Sequence, residues 1–403
     1  MKYLVVLGDG MADYRVDALG GRTPLEAAKK PAMDRLAAEG ELGMVKTVPD
    51  GIAPGSDVAN LSVMGYNPLE YYTGRSPLEA VSIGVELKQG DVTFRVNTVT
   101  LSDDVPYEAK SMVDYSADEI SSAEGAQLME AMNEAFADGQ IRFYAGTSYR
   151  NLLVWHGGST DCTLTPPHDI SGRRITDHLP GGSGGERMCE MMKASFELLK
   201  DHPVNRARAA AGKHPANSVW FWGQGSKPFL PNFEEKYGLK GTVISAVDLL
   251  KGIGICAGMK VVEVAGATGN VDTNFVGKAN AAADALLGGA DFVYLHFEAA
   301  DECGHRGEVE NKVLSIERID AALASIQARL DAAGEEYSIL LLPDHPTPLS
   351  IRTHVSDPVP YVIYRSAGAG AAAPRAYSEA EAEKTGVFIA EGHSLMDRFL
   401  QKK

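Results

Sequence analysis

Basic residues are scarce in this chain of 403 residues. Its 38 lysines and arginines stand against 54 aspartates and glutamates, which gives a net charge of −16. Nucleic-acid binding depends on neutralising phosphates with lysine and arginine, so this balance argues against a nucleic acid partner and against an anionic membrane surface. No apolar run approaches the roughly 20 residues that a transmembrane helix needs. A small anionic substrate is compatible with the charge, because bound metal ions reverse the sign of the local field.

Cysteine is also rare, and the 4 cysteines show no CxxC spacing. In a chain of this size we expect them to be reduced thiols rather than a disulfide framework. The opening segment MKYLVVLGDGMAD has too short an apolar core for a signal peptide, so a cytoplasmic protein is expected. Two phosphate-binding patterns are missing, the GxxxxGK[ST] loop and a GxGxxG after a strand. A nucleotide site therefore has no support from the sequence.

Short apolar runs alternate with helical patterns over most of the chain. Three runs rich in valine, leucine and tyrosine are typical of buried parallel strands: 3–7, 292–297 and 337–342. Helical periodicity is found in three longer segments: 23–40, 273–287 and 309–333. This alternation predicts an α/β fold with a mostly parallel sheet that helices cover on both faces.

The middle of the chain has a different character. Strand-like pieces such as VTFRVNTVTL (92–101) mix there with polar loops and a glycine-rich stretch. We interpret residues 86–238 as a smaller α+β domain inserted into the α/β domain. The α/β domain would then consist of residues 1–85 and 239–403. We also expect an alanine- and glycine-rich surface loop at 366–374.

Acidic residues and histidines follow all three predicted strands, and a further histidine lies beyond the last: Asp9, Asp301, His305, Asp344, His345 and His354. The carboxyl ends of parallel strands meet at one edge of a sheet, which is where ligands bind in open α/β folds. The i, i+4 spacing places Asp301 and His305 on one face of a helical turn. Taken alone, each motif is also explained without a metal, as a turn-forming aspartate or as an Asp–His pair on the surface of a helix. Together they offer nitrogen and oxygen ligands for a pair of divalent cations such as Zn²⁺ or Mn²⁺.

Ser56 is the candidate nucleophile. It stands in the segment APGSDVANLSVMGYNP, where it is expected to be the N-cap of a helix that stops near Gly65. A helix N-terminus favours phosphate through its free N–H groups and its dipole. A nearby cation would lower the pKa of the hydroxyl and activate it without a general base. Ser56 is compatible with both roles at once.

Arginines and histidines are concentrated in the inserted segment although the chain is acidic: Arg150, His156, His168, Arg173, Arg174, Arg206 and Arg208. Guanidinium groups suit carboxylates and phosphates because they donate two parallel hydrogen bonds. An isolated arginine is more commonly a solvated surface residue. The cluster is therefore a candidate substrate contact that the sequence leaves open.

Several motifs together resemble one known family: GDGMAD (8–13), PGSDVANLSVMGYNP (54–68), YYTGRSPLEA (71–80), GATGNVDTNFVGK (266–278), DECGH (301–305), PDHPTP (343–348) and HVSDPVP (354–360). They resemble the 2,3-bisphosphoglycerate-independent phosphoglycerate mutases of the archaeal type, which belong to the alkaline phosphatase superfamily. The similarity covers nearly the whole chain, including SYRN and PPHD in the insert.

The resemblance implies an alkaline-phosphatase-like fold and a metal-dependent isomerase. It would interconvert 3-phosphoglycerate and 2-phosphoglycerate through a phosphoserine intermediate on Ser56. The implied cofactors are two divalent metal ions, mostly Mn²⁺, with Zn²⁺, Co²⁺ or Mg²⁺ as alternatives. One ion would be held by Asp9, Ser56, Asp344 and His345. The other would be held by Asp301, His305 and His354.

The resemblance also implies a small phosphorylated carboxylic acid as substrate, held by an insert that closes over the site. The residues that would contact it are Arg150, His168, Arg173 and, for the phosphate, Lys278. Relatives of this length have been proposed to be homoserine kinases, so an ATP-dependent kinase is an alternative function. A phosphatase is another, if water reaches the intermediate. The metal and serine motifs fit all three, and the missing nucleotide motifs favour the mutase.

Overall fold

The structure is a computed structural model of the chain, and it describes residues 1–103, 105–368 and 375–401. Most of the expected loop at 366–374 lies outside the described residues. The chain divides into two compact units. The first unit comprises Met1–Tyr72 and Phe229–Lys403, and the second comprises Thr73–Pro228.

The strands are numbered in chain order: β1 (Lys2–Gly8), β2 (Glu41–Val45), β3 (Asp91–Leu101), β4 (Met112–Asp114), β5 (Ile141–Tyr144), β6 (Arg150–His156), β7 (Cys162–Thr163), β8 (Gly181–Gly182), β9 (Ser218–Ser226), β10 (Gly241–Ile244), β11 (Lys260–Val261), β12 (Phe292–Phe297), β13 (Tyr337–Leu342), β14 (Val359–Arg365) and β15 (Phe388–Ile389).

The α-helices are numbered in the same way: α1 (Pro24–Ala27), α2 (Pro31–Glu39), α3 (Ser56–Val63), α4 (Pro68–Tyr71), α5 (Ser76–Ser82), α6 (Ser122–Phe136), α7 (Gly185–Leu199), α8 (Pro203–Ala210), α9 (Phe233–Tyr237), α10 (Asp248–Cys256), α11 (Phe275–Leu287), α12 (Ala299–Arg306), α13 (Val309–Ala332), α14 (Glu379–Lys384) and α15 (Leu395–Leu400). Within the described part of the chain, none of them is long and apolar enough to cross a membrane.

The first unit is built on an eight-stranded sheet in the order β11-β10-β12-β1-β13-β14-β2-β15. The strands from β11 to β13 run parallel, and β14 pairs antiparallel with both β13 and β2. Leu4 and Val6 of β1 face a core that includes side chains of α2, α11 and α13. Val5 and Leu7 point the other way and are also fully buried, so both faces of the sheet are covered. The predicted α/β fold with a mostly parallel sheet is confirmed.

One predicted helix, 23–40, is wrong as a single element, because it consists of α1 and α2. Pro31 begins α2 and has no backbone N–H to continue a helix that arrives from before it. The proline also keeps the preceding Lys30 out of the helical region, at φ −136° and ψ 61°. A capping box between Thr23 and Glu26 starts the first piece.

The second unit is an antiparallel α+β structure around β3. β6 and β9 pair with opposite edges of β3, and β4 pairs with the last two residues of β3. Its boundaries differ from the predicted 86–238. Helix α5 belongs to this unit because the Ser76 hydroxyl lies 2.8 Å from the Thr93 hydroxyl of β3. Helix α9 belongs to the first unit because the Phe233 ring packs 4.6 Å from the Phe292 ring of β12.

Candidate metal centre

Side chains suited to metal binding gather at one edge of the sheet in the first unit. Asp9 follows β1, Asp301 lies in α12 directly after β12, and both Asp344 and His345 follow β13. The strands β12, β1 and β13 are adjacent and parallel, so their carboxyl ends meet at the same edge. His354 comes from the segment that connects β13 to β14. The structure thus brings together residues that are far apart in the sequence.

The first group of ligands consists of Asp301, His305 and His354. Asp301 Oδ2 lies 3.2 Å from His305 Nε2, and Asp301 Oδ1 lies 3.5 Å from His354 Nε2. The two histidine Nε2 atoms face each other at 3.0 Å. His305 Nδ1 lies 3.0 Å from the carbonyl oxygen of Arg352, so Nδ1 carries a proton and Nε2 is the atom available to a cation.

The carboxylate and the imidazoles of this group shift one another's pKa values. Burial would raise the pKa of Asp301, but its hydrogen bonds with His305 and His354 lower that pKa well below its usual value. The hydrogen bond with Asp301 raises the pKa of His305 to about 9. A divalent cation bound between the facing nitrogen atoms would compete with protons for them, so its binding would release protons.

The second group consists of Ser56, Asp9, Asp344 and His345. His345 Nε2 lies 3.1 Å from Ser56 Oγ, 3.3 Å from Asp344 Oδ2 and 3.6 Å from Asp9 Oδ1. Burial raises the pKa of Asp9 well above its usual value, and the neighbouring carboxylates of Asp344 and Asp301 raise it further. Ligand atoms of Asp9, Asp301 and His345 all lie within 4.8 Å of one another, so Asp301 connects the two groups.

The second group fits a cation because one of its buried carboxylate oxygens is left unpaired by the described residues. Asp9 Oδ1 is buried and has no hydrogen-bond partner among the described residues. An ionised carboxylate is costly to bury without a partner, and this one lies beside a second buried carboxylate, Asp344. Imidazole nitrogens and carboxylate oxygens are the donors that Zn²⁺ and Mn²⁺ accept. The residues present therefore suit divalent cations.

Ser56 is not the N-cap that the sequence predicts. It is the first residue of α3, and Gly55 is the N-cap, with no hydrogen bond from a capping side chain. Instead, the Ser56 hydroxyl lies within hydrogen-bonding distance of His345 Nε2, in the second ligand group. Gly65 follows the end of the helix at φ 85°, in the left-handed region that glycine adopts readily. The hydroxyl is therefore not engaged in holding the helix terminus.

Sequence reasoning missed Asn60, which fixes part of the second group from α3. Its Nδ2 donates to Asp344 Oδ2 at 2.9 Å and to the Ser56 carbonyl at 2.7 Å. Its Oδ1 accepts from the hydroxyl of Tyr294 at 2.6 Å. These bonds join the serine helix to the aspartate after β13. The sequence did contain a signal for Asn60, because a polar side chain one helical turn after Ser56 lies on the same face of the helix.

The second residue missed is His296, in the interior of β12. Its Nε2 lies 2.9 Å from Asp9 Oδ2, and its Nδ1 lies 3.1 Å from the hydroxyl of Ser245. Burial and the nearby Lys278 ammonium lower the pKa of His296 well below its usual value. A histidine inside the otherwise apolar run FVYLHF was the signal. It became informative only once the register placed His296 opposite Leu7, two residues before Asp9.

Lys278 does not lie open to a substrate, as a phosphate contact would require. Its ammonium is fully buried and donates to the carbonyl oxygen of His296 at 3.0 Å. Burial lowers its pKa to about 8, although Glu298 opposes this shift. The expectation that Lys278 binds phosphate stays a prediction. In this arrangement Lys278 lies on the inward face of α11, and its ammonium contacts the backbone of β12.

The predicted substrate contacts of the second unit are all exposed, and two of them border one aromatic cluster. The guanidinium of Arg150 lies 5.2 Å from the Tyr149 ring, which packs against Tyr115 at 5.8 Å. The His168 ring lies 6.1 Å from the same Tyr115 ring. Arg150 and His168 thus border one aromatic cluster. Arg173 is exposed in a loop, where its carbonyl accepts from the backbone of β4.

The fold and the site define a class: an α/β protein with a candidate metal centre at the carboxyl edge of its sheet. Residues 37–205 match the family model described as 2,3-bisphosphoglycerate-independent phosphoglycerate mutase. Proteins of that description from Methanothrix thermoacetophila and Methanosarcina barkeri are 50% and 47% identical. Those alignments cover 98% of both chains in the first case and 100% of both in the second.

A solved structure agrees with this similarity over the whole chain. The PH0037 protein of Pyrococcus horikoshii is 30% identical, with a TM-score of 0.84, over 100% of this chain and 98% of that one. The chain belongs to the family of 2,3-bisphosphoglycerate-independent phosphoglycerate mutases.

Proposed function

We propose that this protein interconverts 3-phosphoglycerate and 2-phosphoglycerate by way of a phosphoserine on Ser56. The relatives described above are named for that activity, and the alignments cover 98% and 100% of their length. The observation that carries the proposal is the position of the Ser56 hydroxyl, 3.1 Å from His345 Nε2 and among the carboxylates of the second ligand group. A serine there is positioned for phosphoryl transfer, and cations held by the same carboxylates would supply the charge neutralisation that the transfer needs.

Two divalent cations, for which we propose Mn²⁺, would supply charge neutralisation for the phosphoryl group and a lowered pKa for the serine hydroxyl. The first group, Asp301, His305 and His354, would hold one of them. The second group, Ser56, Asp9, Asp344 and His345, would hold the other. This assignment is supported by the donor atoms, the unpaired Asp9 Oδ1 and the facing histidine nitrogens.

Ser56 Oγ performs the chemistry in two transfers. In the first, Oγ bonds to phosphorus, the bond from phosphorus to the glycerate oxygen breaks, and the serine proton passes to that oxygen. In the second, the other glycerate hydroxyl bonds to phosphorus, the bond to Oγ breaks, and a proton returns to Ser56. The glycerate must stay bound between the two transfers, and water must be excluded, or the intermediate hydrolyses.

The second unit is proposed to hold the anionic groups of the substrate. Arg150 and His168 are the best-supported contacts, because both are exposed beside one aromatic cluster. Arg173 stays a weaker candidate, since among the described residues its guanidinium makes no contact with that cluster. A guanidinium recognises a carboxylate or phosphate through paired hydrogen bonds, which would orient the glycerate for the second transfer.

The test is an assay of 3-phosphoglycerate turnover, coupled to the removal of 2-phosphoglycerate, without 2,3-bisphosphoglycerate. We expect activity that disappears on thorough chelation and returns with Mn²⁺. A parallel assay supplies ATP and homoserine and should show no phosphoryl transfer. Turnover that survives in protein shown by elemental analysis to be free of metal would contradict the proposal. So would phosphorylation of homoserine without any mutase activity.

A further inference from the structure

His296 lies next to the candidate metal centre without belonging to either ligand group. It is fully buried in β12, a strand that supplies no ligand of its own. Both ring nitrogens are engaged, Nε2 with Asp9 Oδ2 at 2.9 Å and Nδ1 with Ser245 Oγ at 3.1 Å. A histidine used on both sides cannot also coordinate a cation. Its role must be exerted through its neighbours.

The direction of these hydrogen bonds follows from the groups at the two ends. Ser245 Oγ accepts from the backbone N–H of Val247 at 3.0 Å, which leaves the hydroxyl proton of Ser245 free to be donated. At the other end, an Asp9 that binds a cation is ionised and can only accept. His296 Nε2 therefore carries the proton, and Nδ1 accepts from Ser245. The chain of donors runs from Val247 through Ser245 and His296 to Asp9.

This chain of donors distinguishes the two oxygens of Asp9. Oδ2 is occupied by His296, whereas Oδ1 has no hydrogen-bond partner in the part of the chain that the structure describes and lies 3.6 Å from His345 Nε2. We propose that His296, held in one tautomer by Ser245, is a positioning residue that turns Asp9 Oδ1 toward the cation of the second ligand group. The inference rests on the metal centre of the proposed function and assigns residues to it that coordinate nothing themselves.

The backbone of β12 supports the same orientation. Lys278 donates to the carbonyl oxygen of His296 at 3.0 Å from the adjacent helix α11. The register pairs His296 with Leu7, so its side chain points to the same side of the sheet as that of Asp9, two residues beyond Leu7. The imidazole therefore reaches the carboxylate without leaving the strand.

The test measures Mn²⁺ binding to metal-free protein by calorimetric titration, not turnover. Removing the partner of a metal ligand typically weakens metal affinity by about 10- to 100-fold, and we expect a loss of this size for His296→Leu. His296→Gln keeps an N–H donor near the position of Nε2 and should retain most of the affinity. Ser245→Ala should weaken binding, whereas Ser245→Thr, which keeps the hydroxyl, should restore it.

A double-mutant cycle separates an effect through His296 from a direct effect of Ser245. In the His296→Gln background, Ser245→Ala should have no further effect on Mn²⁺ affinity, because no tautomer remains to be selected. Additive losses, or unchanged affinity in both His296→Leu and Ser245→Ala, would overturn the inference. Ser338→Ala, at a buried serine of β13, is the matched control and should bind Mn²⁺ like the unaltered protein.

Two further readouts keep the outcomes distinct. The melting temperature of each metal-free variant shows whether it folds, and if His296→Leu does not, the Ser245 pair still decides the question. If the unaltered protein binds no Mn²⁺, the metal centre of the proposed function fails. If it binds Mn²⁺ and acts as a mutase while the His296 and Ser245 variants bind equally well, only the positioning role fails.

Discussion

Replacing Ser56 by alanine should remove activity and leave the fold almost unchanged. Ser56 does not cap α3, since Gly55 holds that position without a side-chain bond. The only side-chain hydrogen bond that it makes among the described residues is the contact with His345 at 3.1 Å. A typical hydrogen bond contributes about 0.5–1.5 kcal/mol net, so the free energy of unfolding should fall by no more than about 1.5 kcal/mol.

The catalytic effect of the same substitution is far larger. Removing a serine nucleophile in a serine protease lowers kcat by about 10⁶-fold. Without Oγ no phosphoserine can form, and a loss of this order is expected for 3-phosphoglycerate turnover. The measurements are the coupled assay, the urea midpoint and the Mn²⁺ content of the same preparation.

Ser121 offers a matched control, because it is a true helix cap. Its hydroxyl accepts from the backbone N–H of Glu124 at 3.3 Å in a complete capping box at the start of α6. Ser121→Ala should therefore cost about 1 kcal/mol of stability with turnover retained. The account is refuted if Ser56→Ala turns over 3-phosphoglycerate at the unaltered rate. It is also refuted if Ser56→Ala loses activity only because it is unfolded.

Three further outcomes are expected. Lys312→Ala should lower the free energy of unfolding by about 3–5 kcal/mol in urea titrations, because it leaves the buried Asp13 carboxylate without its ion-pair partner at 2.6 Å. An unchanged urea midpoint would contradict this. Burial raises the pKa of Glu379 from 4.5 to about 7, so the folded state holds the proton more tightly than the unfolded state does. The protonated Glu379 therefore stabilises the folded state at pH 4, and this contribution is lost as the pH rises through about 7. Glu379→Gln should flatten that part of the plot of unfolding free energy against pH. An unchanged slope would refute the assignment. Arg150→Ala should raise KM for 3-phosphoglycerate with metal content unchanged, and an unaltered KM would remove Arg150 from the substrate contacts.

The strands and the residues that follow them were accessible from sequence because they are local patterns. The run 292–297 is apolar apart from His296 and is followed at once by the segment with Asp301, and the structure gives the same bounds, Phe292–Phe297. The spacing of Asp301 and His305 fixes their shared helix face before any tertiary contact is known. Such signals depend on neighbours in the chain, which a sequence displays directly.

The supporting side chains depend on register, which the sequence does not display. His296 matters only because β12 pairs with β1 so that Leu7 lies opposite it. The same limit applies to Lys278, whose family motif suggested an open phosphate contact, while the packing of α11 buries its ammonium. For Ser56 the expected cap was misplaced by one residue, because glycine also serves as an N-cap and leaves no side-chain signature.

The most direct measurement is to find where the phosphoryl group resides during turnover. The protein loaded with Mn²⁺ is mixed with 3-phosphoglycerate carrying a labelled phosphoryl group, quenched in acid within one turnover, digested and mapped by mass spectrometry. The account predicts label on Ser56, in the peptide that contains PGSDVAN, and none in the Ser56→Ala protein. Label on another residue, or none at all in protein that converts 3-phosphoglycerate to 2-phosphoglycerate, would contradict it.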